Sequence, residues 1–265
     1  MTTTSSSASS FITTRRRVTV LLFTWAAGSV DAITYLRAHV FTANMTGNSV
    51  LLALAVSQRE GAATARALIA LVAFILGVLL GAILAGEAGD RVKTFTAVRR
   101  EVFFEAGALV LFAIVCVHPP TASVHSAGVL VIFTSAVAMG MQSAAVKRLS
   151  LPGIATTYIT GTITSLFSGI VHNWITRKNR TARMAPEASS GHPPQPSMRH
   201  SVALQAQVYL SYTLAALSSG ILHNYWPSVV AILPVIAISG IGVYMLFAKP
   251  ATRIASISSR PDWSR

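Results

Sequence analysis

The chain has 265 residues, 52% hydrophobic and 11% charged, with a formal net charge of +13. A soluble domain averages about 25% charged residues, so a water-soluble globular protein is excluded. Nucleic-acid binding is excluded as the meaning of the basic excess, because the Lys and Arg residues, Arg66 near the start of one run excepted, lie between long apolar runs rather than inside them.

Residues 1–17 form a Ser/Thr-rich tail that ends in Arg15, Arg16 and Arg17 and is expected to be disordered. The apolar run that follows has the basic flank of a signal peptide. It nevertheless continues past Asp31 without a small-residue cleavage site, so it reads as an uncleaved first helix. Eight apolar stretches follow one another at 18–36, 40–57, 62–86, 102–118, 124–146, 154–176, 202–222 and 228–248. The composition therefore predicts an all-α polytopic membrane protein with one membrane domain over 18–248. Pro234 is expected to kink the eighth stretch. The segment 177–200, with Pro186, Pro193, Pro194 and Pro196, reads as a cytoplasmic loop, and 249–265 as a C-terminal tail.

The second and sixth stretches open unlike the others, on Thr42-Ala43-Asn44-Met45-Thr46-Gly47-Asn48 and Thr156-Thr157-Tyr158-Ile159-Thr160-Gly161-Thr162. Both contain Thr, three residues, then Thr-Gly. Each follows a helix in which a polar residue stands three positions after a glycine, Gly28 with Asp31 and Gly140 with Ser143. This pattern indicates an internal duplication, 18–118 against 124–248.

Counting cations separates two topologies, because cytoplasmic loops carry the Lys and Arg excess. If all eight stretches span, 14 cations fall inside and 7 outside. If the second and sixth are re-entrant or broken, only Arg37, Arg59 and Arg66 fall outside, and the remaining 18 are inside. The sequence thus favours about six spans plus two polar re-entrant segments over eight full spans, with both termini cytoplasmic. Three spans per copy would turn the second copy upside down relative to the first, an arrangement common in transporters and channels.

Asp31 lies within the first apolar stretch, where an ionisable group is costly and usually faces the bundle interior. It reads either as a charge-handling group or as a hydrogen-bonding partner of Asn44 or Asn48. Asn44, Gly47 and Asn48 share one helical face, and two adjacent asparagine amides need polar partners or a polar lining. Thr46, Gln142, Ser143, Thr160, Gly161 and Thr164 complete a candidate solute or ion pathway. Glu105 is read as an acid in the first turn of the fourth helix, facing the positive end of its dipole. Ala73, Gly77, Gly81 and Ala85 form a small-residue stripe for close contact, within the bundle or in a homo-oligomer. Cys116 is the only cysteine, so no intrachain disulfide is possible. No spacing of His, Cys and carboxylates suggests a metal site, and no cofactor motif or catalytic nucleophile emerges, so no enzymatic activity is expected.

The segments Ala27-Gly28-Ser29-Val30-Asp31-Ala32, Thr42 to Asn48, Gly140-Met141-Gln142-Ser143-Ala144 and Ala155 to Thr162 resemble the YoaK-like family of bacterial integral membrane proteins, a domain of unknown function. The resemblance covers roughly 15–248. Members commonly have Asn at the position of Ser143, so that position does not require an amide here. The resemblance implies about six spans in the bacterial cytoplasmic (inner) membrane, and it implies no activity. Architecture alone points to a small-solute or ion transporter or channel with a pathway between two repeats, or to a non-transporting scaffold or subunit of a membrane complex.

Overall fold

The computed structural model describes residues 3–86, 91–119, 124–148, 159–182 and 198–247. Among these the elements are α1 (Thr3–Ala38), α2 (Met45–Ser57), α3 (Gly61–Ala85), α4 (Arg91–Val117), α5 (Val124–Arg148), α6 (Ile159–Ala182), α7 (Met198–Tyr225), a 3₁₀ turn at Val229–Ala231 and α8 (Ile232–Phe247). No strand occurs among the described residues. Within the described residues every apolar stretch contains a helix. Four segments, Arg17–Ala38, Gly61–Ala85, Gly128–Arg148 and Val229–Phe247, are long and apolar enough to cross a membrane by length and composition. Large apolar side chains such as Leu79, Ile83, Leu111, Leu214 and Leu246 point outward, as expected where the solvent is hydrocarbon. The chain is an all-α polytopic membrane protein.

Several boundaries differ from the sequence reading. The tail expected to be disordered is helical from Thr3. No glycine or proline lies between Met1 and Ala27, and extending an anchored helix costs far less than nucleating a new one. Residues 177–182, expected in a loop, likewise belong to α6. The proline-rich part of that loop and the C-terminal tail lie outside the described residues. Pro234 falls in the first turn of α8, after the 3₁₀ turn. A missing N–H costs nothing there, so the helix starts near the proline and no mid-helix kink is needed. Because α4 starts at Arg91, Glu105 stands in the middle of a 27-residue helix and not in its first turn. It is fully buried.

Helix directions follow from a few contacts. Arg37, at the end of α1, donates to the Cys116 carbonyl at the end of α4 (3.5 Å) and to the Pro227 carbonyl after α7. The ends of α1, α4 and α7 therefore share one face, the Arg37 face. Since α4 runs toward that face, it begins at the opposite one, where α3 ends. Residues 39–60 thus leave and return at the Arg37 face, and α2, at 13 residues, does not cross. It is about 20 Å long against a hydrocarbon core of about 30 Å. The Arg148–Glu101 ion pair (3.0 Å) puts the end of α5 at the opposite face. As α7 also begins there, the end of α5 and the start of α7, between which α6 lies, share that side. Six helices traverse the bundle. Eight full spans would place the ends of α1 and α4 on opposite faces, which the Arg37 contact rules out.

The traversing helices pack in two parallel pairs, α1 with α7 and α3 with α5. Backbones touch at glycines in both. A Cβ on Gly28 would stand 2.4 Å from the Tyr212 carbonyl oxygen. One on Gly140 would stand 2.2 Å from the Phe74 oxygen, and one on Gly77 2.2 Å from the Val137 oxygen. Gly81 faces Ala144 and Met141 in the same seam. The small-residue stripe is thus spent inside the chain, and Gly77 and Gly81 have no free surface for a second copy. Between the pairs, α1 and α5 also pack on α8 and α4 respectively, and α4 packs on α8. The other two helices sit outside this arrangement, the 13-residue α2 against α3 and the 24-residue α6 against α7.

Candidate functional site

The first broken segment is organised by Asp31. Helix α1 ends on His39, whose φ of 55° lies in the left-handed region, and whose N–H donates to the Tyr35 carbonyl (2.9 Å). The chain then folds back along α1, so that the N–H groups of Thr42 (2.8 Å), Ala43 (2.7 Å) and Asn44 (3.4 Å) all donate to Asp31 Oδ1. These donors precede α2, where helix geometry leaves them without intrahelical partners. In an apolar surrounding each needs an acceptor. The other carboxylate oxygen, Oδ2, accepts from the Tyr212 hydroxyl of α7 at 2.6 Å. Asp31 is 2% exposed.

The asparagines extend the same construction. Asn44 Oδ1 accepts from the Gly47 N–H (3.4 Å), capping α2. Asn48 reads the Phe41 backbone twice: Oδ1 accepts from its N–H at 2.9 Å, and Nδ2 donates to its carbonyl. Phe41 stacks on Tyr35 with ring centroids 4.9 Å apart. A Cβ on Gly47 would lie 2.9 Å from the Phe41 ring, so the glycine makes room for the turn. The amides of the Asn-Met-Thr-Gly-Asn motif therefore hold backbone, and Thr46 is the exposed member of the segment.

The structure thus brings Asp31, Asn44, Gly47 and Asn48 together. Gln142 and Ser143 lie elsewhere, on α5; Gln142 is buried and its Nε2 donates to the Phe23 carbonyl of α1 at 3.0 Å. In the second segment Thr160, Gly161 and Thr164 are exposed on α6. The Thr164 hydroxyl bonds back to the Thr160 carbonyl (3.0 Å). Thr162, in the same motif, is the buried member at 1% exposure. Thr156, Thr157 and Tyr158 lie outside the described residues.

Tyr212 was not singled out by the sequence reading. Its only signal is a polar pair, Ser211-Tyr212, in the middle of an apolar stretch. Ser211 donates to the Leu21 carbonyl of α1 at 3.0 Å, so both members of the pair face that helix. The two glycine crossings differ at this point. Gly28 and Asp31 meet a tyrosine, whereas Gly140 and Ser143 lie on the helix that packs on Phe74. Among the described residues no group of three or more His, Cys, Asp and Glu is placed to hold a metal ion. Chemically, Asp31 is an acceptor that fastens a loop and a distant helix to one point of α1, and releasing it would free both at once.

A family model described as "Protein of unknown function (DUF1275)" matches residues 19–245. The "UPF0700 transmembrane protein YoaK" of Bacillus subtilis (strain 168) is 39% identical over 150 residues, 56% of this chain and 64% of that protein. The match therefore spans less than two thirds of the relative's length. No solved structure matches.

Proposed function

We propose that this chain, which belongs to the DUF1275 family of proteins of unknown function, is a multi-pass transporter or channel for a small solute or ion. Its two repeats, 18–118 and 124–248, are inverted, and it sits in the bacterial cytoplasmic membrane. The observation that carries this reading is the arrangement of the two parallel pairs. Exchanging α1 with α5, α2 with α6, α3 with α7 and α4 with α8 maps the α1–α7, α1–α8 and α2–α3 contacts onto α3–α5, α4–α5 and α6–α7. The α1–α7 pair runs toward the Arg37 face and the α3–α5 pair away from it. Inverted repeats flanked by broken helices with polar starts are a recurring transporter architecture. Irregular backbone at membrane depth is tolerated where it is buried in protein or lines a cavity. Both termini are cytoplasmic in this reading, because among the described residues Arg37, Arg59 and Arg66 are the cations on the Arg37 face, while Arg99, Arg100, Lys147 and Arg148 lie toward the other.

The described conformation is a closed one, with Asp31 engaged by four donors and glycine backbones in contact at both crossings. Opening consists of releasing residues 42–44 and Tyr212 from Asp31, which lets one pair rock against the other. The test uses purified full-length protein in vesicles of phosphatidylethanolamine and phosphatidylglycerol. Flux of H⁺, Na⁺, K⁺ and a panel of small neutral and anionic solutes is measured for the wild type and Asp31→Asn. Flux above empty vesicles that changes in the variant supports the proposal. No flux for any of them, together with copurification of one stoichiometric membrane partner, overturns it in favour of a non-transporting subunit.

A further inference from the structure

A second buried polar cluster lies away from Asp31. Glu101 and Glu105 are one turn apart on α4, so they share a face. Both are buried, at 1% and 0% exposure. Glu101 Oε1 accepts from Arg148 Nε at 3.0 Å, while its Oε2 has no partner. Neither oxygen of Glu105 has a partner. Arg148, at the end of α5, is 21% exposed and opens the cluster to water at the face opposite Arg37.

The elements packed on α4 bring little else that titrates. From α5 come Arg148, the exposed Lys147 and, at its far end, His125. From α8 comes Tyr244, from α3 Arg66 near its start, and from the 3₁₀ turn nothing. On α4 itself the remaining charged positions are Arg91, Lys93, Arg99 and Arg100. Among the residues whose side chains are described, the buried set is two carboxyl groups against one guanidinium. An unpaired buried charge costs several kcal/mol, and a group in that position takes up a proton instead. One proton makes the set neutral, and it belongs to the coupled pair rather than to either residue.

We propose that Glu101, Glu105 and Arg148 form a proton-binding site, loaded from the Arg148 face and holding its proton on Glu105. In loading, Glu101 takes a proton at Oε2 from a hydronium ion, which leaves as water. That O–H bond then breaks as one forms on Glu105, and Glu101 returns to its pairing with Arg148. The site stands apart from the transport reading, and its test needs no vesicle compartment.

The experiment is pH-difference infrared spectroscopy on full-length protein in lipid nanodiscs, following the carbonyl stretch of protonated carboxyl groups. Charge counting sets the expectations. Glu105→Gln loses the band. Glu101→Gln also loses it, because the remaining carboxylate then balances Arg148. Arg148→Met strengthens it roughly twofold as both carboxyls take protons. Each variant is first checked for a single size-exclusion peak and wild-type helical content. Should one fold poorly, the other two still decide. An unchanged band in Glu105→Gln, or a band that does not respond to Arg148→Met, overturns the site.

Discussion

Replacing Asp31 with alanine separates a fastening role from a mere polar lining. The substitution orphans the N–H groups of Thr42 and Ala43, both buried, and the Tyr212 hydroxyl. Each buried donor left without a partner costs about 1–3 kcal/mol. Hydrogen bonds between membrane helices run at the low end, on average about 0.6 kcal/mol. Three donors at about 1 kcal/mol each give about 3 kcal/mol, which raises the open population of the loop about 10²-fold. Ala43→Cys in a Cys116→Ala background reports that opening, since residue 43 is 2% exposed. When closing is faster than chemistry, the rate of thiol labelling follows the open fraction. Tyr212→Phe, which removes one donor, accelerates labelling about 5-fold for about 1 kcal/mol. Asp31→Asn, which keeps one acceptor oxygen, falls between the two. A labelling rate that Asp31→Ala leaves unchanged, or that Tyr212→Phe raises more, refutes the assignment of Asp31 as the fastening point.

Gly28→Ala and Gly140→Ala each force a Cβ against a backbone carbonyl of the partner helix, at 2.4 and 2.2 Å, and should cost about 1–3 kcal/mol. Gly107→Ala, with nothing within 4 Å, should be neutral or stabilise by about 0.5–1 kcal/mol; thermal unfolding in nanodiscs ranks them, and equal effects would count against backbone contact at the crossings. For topology, single cysteines at Ser57 and Asn224 should be labelled by an impermeant reagent from one side of the membrane and one at Arg100 from the other. Labelling of Ser57 and Asn224 from opposite sides would restore eight full spans.

The eight helices were legible because apolar runs of membrane length leave the backbone no alternative to helix. The odd character of the second stretch was legible from Asn44, Gly47 and Asn48, residues that serve turns and caps. What those residues do was not. Asn44 and Asn48 carry polar groups that suit a lining, but the nearest unsatisfied groups are those of their own backbone turn, and proximity decides. Tyr212 was invisible for the opposite reason, since its partner lies 181 residues away and nothing local marks it. Glu105 was misread because the charged run Arg91–Arg100 looked like a loop. An amphipathic extension of a helix can carry such charges at the membrane edge while the helix continues, which moves Glu105 to mid-helix. The Gly77 and Gly81 stripe correctly signalled close packing, yet small residues do not say which helix approaches.

The length of chain between Asp31 and Tyr212 also matters for the order in which the protein is made. At about 5–20 residues per second, a ribosome that has just placed Asp31 needs about 10–40 s to reach the tyrosine. The three N–H donors on Asp31 Oδ1 come from residues only 11 to 13 positions downstream, and they are available within a few seconds at that rate. The nascent first helix can therefore settle in lipid with one carboxylate oxygen, Oδ1, already covered by its own following loop. The second oxygen, Oδ2, waits for α7 to arrive alongside, and Tyr212 completes what the loop began.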